Sequence, residues 1–390
     1  MVVVNYNNKE FVSQTAKRYA LVLQFSSRNC LVLLVGYITL TYMIDAAYSF
    51  RDGLTIDRTV YQTPDSIVSE SLHLEEEVFR PEPLEPDQKP LFDTFYAGHR
   101  QLSARTTLRR SGKLAIQALA WGGTAENPAT AHETQRFDEV FSDYDTLHLT
   151  MPGHGQQHPS SRWPADVRLQ MHTSGSFLRA GRHLATFLRN SDQVFDADTI
   201  DVIGVSTGGR SSIGLASELG RQVSNLVIFD APGSEKMSYG QFKECFTVVE
   251  NQYGRRYSGV SEDVQYQDIM SALPSRASRE YLQDFARRDV RAAYDFYISE
   301  VYGMAKGSLE RDMLRAPLEN VGRVVFISPT ESALNKPGAV DDILRNAKLQ
   351  HPTTQFEQYV FTGTHLMPRT SSAALAWLTK AAITPQNFRS

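Results

Sequence analysis

Cysteine is nearly absent from this sequence, with Cys30 and Cys245 the two examples in 390 residues. One lies in an apolar N-terminal run and the other deep in the chain, so no disulfide framework is expected, and cysteine usage leaves the compartment open. An excess of charge of one sign is also missing. The 40 Lys and Arg nearly balance the 44 Asp and Glu, for a net charge of −4, so nucleic acid is not expected as a partner. No Walker-type or dinucleotide glycine fingerprint occurs, and no cofactor is expected. His154 and His158 are spaced i, i+4, but no carboxylate pattern or third ligand accompanies them, so no metal site is read there. No internal repeat is present. What remains is an ordinary globular balance, 41% hydrophobic and 22% charged, in a chain long enough for one large α/β unit.

Residues 1–28 are polar and mixed. Asn29 to Ile44 then runs without a charge until Asp45. The run falls slightly short of the roughly 20 residues a bilayer span wants, and Ala46 to Phe50 extend it. Residues 29–50 are therefore expected to be a single membrane anchor, ahead of a cleaved signal peptide or a buried or surface-bound helix. Basic residues precede the run, so the positive-inside rule places the bulk of the chain on the non-cytoplasmic side. Residues 51–90 carry alternating Glu and Pro toward their end and read as an acidic, Pro-rich tether.

From Leu91 onward strands and helices alternate. Leu91–Tyr96 and Leu102–Leu108 read as an opening hairpin. Leu114–Ala120, Thr146–Thr150, Thr199–Ile203, Leu226–Phe229, Arg323–Ile327 and Phe356–Phe361 read as strands, the first by its continuous apolar character. Helices are expected around Phe177–Leu188, from Arg210 to Arg221, over Val340–Leu349 and over Thr370–Ala382. This pattern predicts a mostly parallel central sheet covered by helices on both faces.

The run Ile203-Gly204-Val205-Ser206-Thr207-Gly208-Gly209 sits between one such strand and its helix. Gly-x-Ser-x-Gly in that setting is the nucleophile-elbow pattern. Small residues on either side of the serine let strand and helix approach closely, and the helix N-terminus faces developing negative charge. Ser206, Glu331 and His365 each follow a strand, and in a parallel sheet such loops converge at the carboxyl edge. The arrangement suits Ser206 as nucleophile, His365 as base and a carboxylate behind the imidazole. The backbone N–H of Thr207 and that of Gly123, in the loop after Ala120, are the expected oxyanion donors. For the acid the reading prefers Glu331, three residues past Ser328. Asp230, ending the strand before, is the alternative, and Asp341 and Asp342 are better explained by a helix start.

These residues resemble the α/β-hydrolase superfamily from Leu91 to the C-terminus, with the order Ser…acid…His. Met151-Pro152-Gly153-His154-Gly155 is similar to the family's PGHG segment. Pro329-Thr330-Glu331-Ser332-Ala333-Leu334-Asn335 is similar to the acid loop of the monoacylglycerol lipase and lysophospholipase branch. Two positions depart from the pattern: Trp121 where histidine is common before the oxyanion glycine, and Glu331 where aspartate is usual. The resemblance implies an α/β-hydrolase core over 91–231 and 323–390 with a helical cap over 232–322. That cap holds eight of the 17 tyrosines, which suits a lid facing an acyl chain. It further implies a serine hydrolase cleaving a carboxylic ester of a small molecule or lipid through an acyl-enzyme. An acyltransferase, thioesterase or peptidase with the same triad is the alternative, as is a non-catalytic binder on the same fold.

Overall fold

The computed structural model describes residues 54–63, 65–74, 91–97, 100–120, 123, 128–154, 162–189, 191, 196–245, 299–365, 367 and 372–384. Its strands in chain order are β1 (Leu54–Thr63), β2 (Ser66–Leu74), β3 (Leu91–Ala97), β4 (Arg100–Thr107), β5 (Lys113–Ala118), β6 (Asp145–Leu149), β7 (Thr199–Val205), β8 (Val223–Phe229), β9 (Arg323–Glu331) and β10 (Gln355–Thr364). They form one sheet in the order β2-β1-β10-β9-β8-β7-β5-β6-β4-β3. Strands β5 to β10 run parallel, and β4 and β1 pair antiparallel at the two ends of that block. From β3 to β10 this is the strand order of the α/β-hydrolase fold, with β5 and β6 exchanged in space.

Each strand expected from Leu91 onward is present, with ends shifted by a few residues and β9 running on to Glu331. Of the region read as a tether, residues 54–63 and 66–74 are part of the sheet, and residues 75–90, where the Glu and Pro residues concentrate, lie outside the described ones. β1 and β2 form an antiparallel hairpin, and β1 pairs with β10 from Ile56↔Phe361 to Tyr61↔Phe356. The reason lies in the side chains. Leu54 and Ile56 alternate with Thr55 and Asp57 and enter the core, the period-2 pattern of a half-buried strand. The hairpin is held by Arg58, which reaches Glu357 at 2.8 Å and Glu70 at 2.5 Å, and by the Tyr61 hydroxyl, which donates to Asp341 at 2.5 Å.

The span expected over residues 29–50, and the non-cytoplasmic placement drawn from it, are corrected. No helix among the described residues is long and apolar enough to cross a membrane, and residues 29–50 lie outside the described ones.

Alternation within the parallel strands sends side chains to two cores. Leu114, Ile116, Val202, Leu226, Ile228, Val324 and Phe326 pack on one face. There they meet helices α2 (Ala165–Ser174), α3 (Leu178–Leu188), α4 (Thr207–Leu219) and α8 (Pro337–Gln350), numbered along the chain. Ala115, Ile203, Val205, Val227, Phe229 and Val325 pack on the other, against α1 (Pro128–Val140) and α9 (Ser372–Ile383). Helices α5 (Tyr239–Glu244), α6 (Val301–Ala305) and α7 (Leu309–Arg315) belong to the expected cap. Most of that cap, including six of its eight tyrosines, lies outside the described residues. Its returning arm is part of the main body, because Met304, Leu309 and Met313 are buried in the first core.

One polar cluster is sealed between α1 and the sheet. Asp138 of α1 accepts from Arg105 at 2.9 Å, Thr107 at 3.1 Å and Thr146 at 2.5 Å. It also faces His148 Nε2 at 2.7 Å, while His148 Nδ1 faces Gln117 at 2.6 Å. Burial by itself raises the Asp138 pKa, but the interactions with His148, Arg105 and Thr146 outweigh it and hold the carboxyl below its ordinary range. Removing one member of a buried, hydrogen-bonded charge cluster typically costs about 3–5 kcal/mol, because its partners stay buried. We predict that Asp138→Asn loses about that much stability at pH 7 in urea unfolding. A group whose folded pKa is depressed stabilises above its unfolded value and stops doing so as pH falls through the folded one. The difference between wild type and variant should therefore shrink in acid below about pH 4. A variant as stable as wild type at pH 7 would show that the cluster contributes nothing.

Candidate active site

The turn from β7 into α4 is forced by close backbone approach. Ser206 has φ 55° and ψ −120°, a left-handed conformation that a side chain rarely adopts. It is held there by hydrogen bonds at both sides, its N–H to Phe229 O and its carbonyl from the Gly209 N–H, each 2.9 Å. The two glycines of the pattern are steric necessities. A Cβ on Gly204 would lie 2.4 Å from Gly209 Cα, and one on Gly208 would lie 2.1 Å from Ala118 O. The second contact presses the elbow against the end of β5, so the β5 exit runs beside Thr207. Thr207 opens α4, where the first N–H groups have no partner within the helix.

Asp230 follows β8, the next strand beside β7, and His365 follows β10. Ser206 Oγ lies 3.0 Å from His365 Nε2, and His365 Nδ1 lies 2.8 Å from Asp230 Oδ2. A carboxylate only accepts, so Nδ1 carries the proton and the lone pair of Nε2 receives the Ser206 hydroxyl. Ser206 and His365 are each 4% exposed and Asp230 is 0%. Asp230 also has a positive φ of 40°, and its N–H donates to Ile327 O at 2.9 Å. Its second oxygen, Oδ1, accepts from Asn335 Nδ2 at 2.7 Å.

The structure thus brings Asp230, not Glu331, to the imidazole. β9 continues to Glu331, which pairs with Thr364 of β10 after a one-residue register shift past Phe361, so Glu331 is still in the strand where a loop was expected. The loop begins after it, and Asn335 is the residue that reaches back to Asp230. Asp341 pairs with Tyr61 and, at 2.8 Å, with Arg345, a structural use. Gly123 departs from expectation as well. Its N–H donates to Ala120 O at 2.8 Å, a tight turn that commits the donor elsewhere. Trp121 and Gly122 lie outside the described residues. His154, from the PGHG segment, faces Glu300 at 3.0 Å, and Trp163 donates to the same carboxylate at 2.6 Å.

Two features near the site had no signal in spacing. Arg210, one turn into α4, is wholly buried. It donates to Pro232 O at 2.9 Å, Ser308 Oγ at 2.8 Å, Asp312 at 2.7 Å and Gly175 O at 3.2 Å. Met304, in the returning arm, accepts from the Thr207 hydroxyl at 3.0 Å.

No family model matches the sequence. No curated protein matches it either. Among solved structures, a lipase-esterase related protein from Clostridium acetobutylicum ATCC 824 is similar at 14% identity, over 75% of this chain and 98% of its own, with TM-score 0.46. A 2-hydroxy-6-oxo-6-phenylhexa-2,4-dienoate hydrolase from Rhodococcus sp. strain RHA1 is similar at 11% identity, over 75% and 98%, with TM-score 0.47. A Pyrococcus furiosus esterase is similar at 13% identity, over 76% and 89%, with TM-score 0.45. At such identities the functional reading rests on the side chains of this chain.

The backbone at Ser206 yields a prediction independent of chemistry. A residue held in so sparsely populated a conformation stores of order 1–3 kcal/mol, which glycine does not pay. Ser206→Gly should therefore be more stable than Ser206→Ala by about 1 kcal/mol after the entropy of the unfolded chain is offset. Thermal unfolding of the two variants side by side checks this, and an alanine variant at least as stable as the glycine one would contradict it.

Proposed function

We propose that this chain is a serine hydrolase that cleaves a carboxylic ester, with Ser206 as nucleophile, His365 as general base and Asp230 as the orienting acid. The observation that carries the reading is the unbroken chain of hydrogen bonds from Ser206 through His365 to Asp230, all buried, at a serine forced into the elbow conformation. Ser206 Oγ attacks the acyl carbon while Nε2 takes its proton. Asp230 keeps the Nδ1–H in place and stabilises the imidazolium. The Thr207 N–H, at the start of α4, is aimed to share the oxyanion charge. His365 then gives the proton to the departing alcohol. Water, deprotonated by the same imidazole, releases the acyl group from Ser206.

The test uses p-nitrophenyl esters of rising acyl length with an amide control, together with labelling by a fluorophosphonate. Ser206→Ala should abolish both turnover and labelling while the protein stays folded. Asp230→Asn should lower kcat by about 10³–10⁴-fold, since the charge and the tautomer are both lost. Glu331→Gln should keep most of the activity. Turnover by the Ser206→Ala variant at the wild-type rate would overturn the proposal, and a larger loss from Glu331→Gln than from Asp230→Asn would move the acid to Glu331.

A further inference from the structure

We infer that Asn335 is a positioning residue for the acid: its amide fixes the plane of the Asp230 carboxylate, and through it the His365 ring. The inference rests on the Ser206–His365–Asp230 reading above and adds a fourth member to it.

Asn335 is buried, at 4% exposure, in the loop after β9. Its Nδ2 donates to Asp230 Oδ1 at 2.7 Å and to Ala231 O at 2.8 Å. Its Oδ1 accepts from the Ser234 N–H at 3.2 Å. Both amide protons and the carbonyl are thus spent on one stretch of five residues, 230 to 234. The orientation has no alternative. Turning the amide over would set its carbonyl against the Asp230 and Ala231 oxygens and its NH2 against a backbone N–H, three repulsions in place of three bonds.

The consequence for Asp230 follows from its two oxygens. Oδ2 faces His365 Nδ1 and Oδ1 faces Asn335, so the carboxylate cannot rotate without breaking one bond or the other. Without the amide, Oδ2 alone would define the plane, and a buried anion would keep only one of its two side-chain donors, in surroundings where each counts heavily. Arg210 holds the same stretch from the elbow side through Pro232 O, but it touches the backbone and not the carboxylate. Positioning of the charge itself therefore falls to Asn335. The loop after β9, where the sequence suggested the acid, supplies the amide that holds an acid borne on β8.

The experiment compares full-length Asn335→Ala and Asn335→Asp with Ser206→Ala and Asp230→Asn, each verified as folded by circular dichroism. Asn335→Ala should lower kcat by about 10–100-fold, the usual scale for a residue acting through another, with KM within about twofold, and should slow fluorophosphonate labelling in parallel. Placed on Asp230→Asn it should cost little more, because its effect runs through the missing charge. Asn335→Asp is close to isosteric and guards against misfolding of the alanine variant. A carboxyl at 335 cannot ionise so close to the buried Asp230 carboxylate. Protonated, it donates to Oδ1 much as the amide does; as pH rises it loses that proton and repels, so the alkaline limb of kcat/KM should move to lower pH. A merely structural asparagine would leave that limb in place and would cost the same in both backgrounds. The inference is overturned if Asn335→Asp keeps the wild-type profile, or if the loss from Asn335→Ala is equal with and without Asp230. Either result leaves the triad standing provided Ser206→Ala is inactive; an active Ser206→Ala would fell the triad reading instead.

Discussion

The turn at Ser206 is the constraint from which the carboxyl end of the sheet is built. A strand must stop and a helix must begin within one residue, and that is possible only where backbones touch. Gly208 lies against Ala118 O and Gly204 against the first turn of α4, at separations a methyl group would close to clashing distance. The turn is held from the next strand, since Ser206 N–H donates to Phe229 O, one residue before Asp230. Ser206 and Asp230 are therefore fastened to each other through the backbone of β8 before either meets the imidazole. The strained φ at Ser206 survives because these contacts over-determine it.

Much of this architecture was legible in the chain. Six parallel strands were expected where six are found, and the elbow glycines and His365 stood at strand ends, where a parallel sheet gathers its loops. Three things were not legible, each for a physical reason. The acid depended on whether β9 stops at Ser328 or runs on to Glu331, and strand ends are set by pairing with β10, which local composition does not report. The Gly123 donor depended on which way one peptide unit faces, and the turn bond to Ala120 decides that. The hairpin of β1 and β2 was hidden by its neighbourhood. The Glu and Pro residues after it coloured the whole stretch, although Leu54-Thr55-Ile56-Asp57 already carries the alternation of a strand with one buried face.

The relocation of the acid has a cost that the fold meets locally. A carboxylate with no exposed surface is expensive unless its oxygens are bonded, and Asp230 meets this with the imidazole on one oxygen and an amide on the other. The neutral amide is a better companion than a cation would be. An arginine or lysine at that position would compete with His365 for the negative charge and weaken the support given to a forming imidazolium. An asparagine orients without neutralising. Arg105 next to Asp138 shows the opposite choice in the same molecule: a full charge pair, sealed under α1, with a structural role.

Arg210 shows how the returning arm of the cap is joined to this machinery. Burial pulls its pKa down and Asp312 opposes that, so the guanidinium is affordable only because nearly every direction it points in finds an oxygen. Those oxygens come from three separate segments: Gly175 between α2 and α3, Pro232 beside Asp230, and Ser308 and Asp312 at the start of and within α7. Asp312 also accepts from the Phe177 N–H at 2.9 Å. Leu309 N–H adds a bond to Gly233 O at 3.0 Å. An apolar residue at 210 could fill the space, but it would leave these acceptors unmet and the three segments free to slide, and one of the three carries Asp230. The arm that ends the cap is thus tied by hydrogen bonds, as well as by packing, to the residues that follow Asp230.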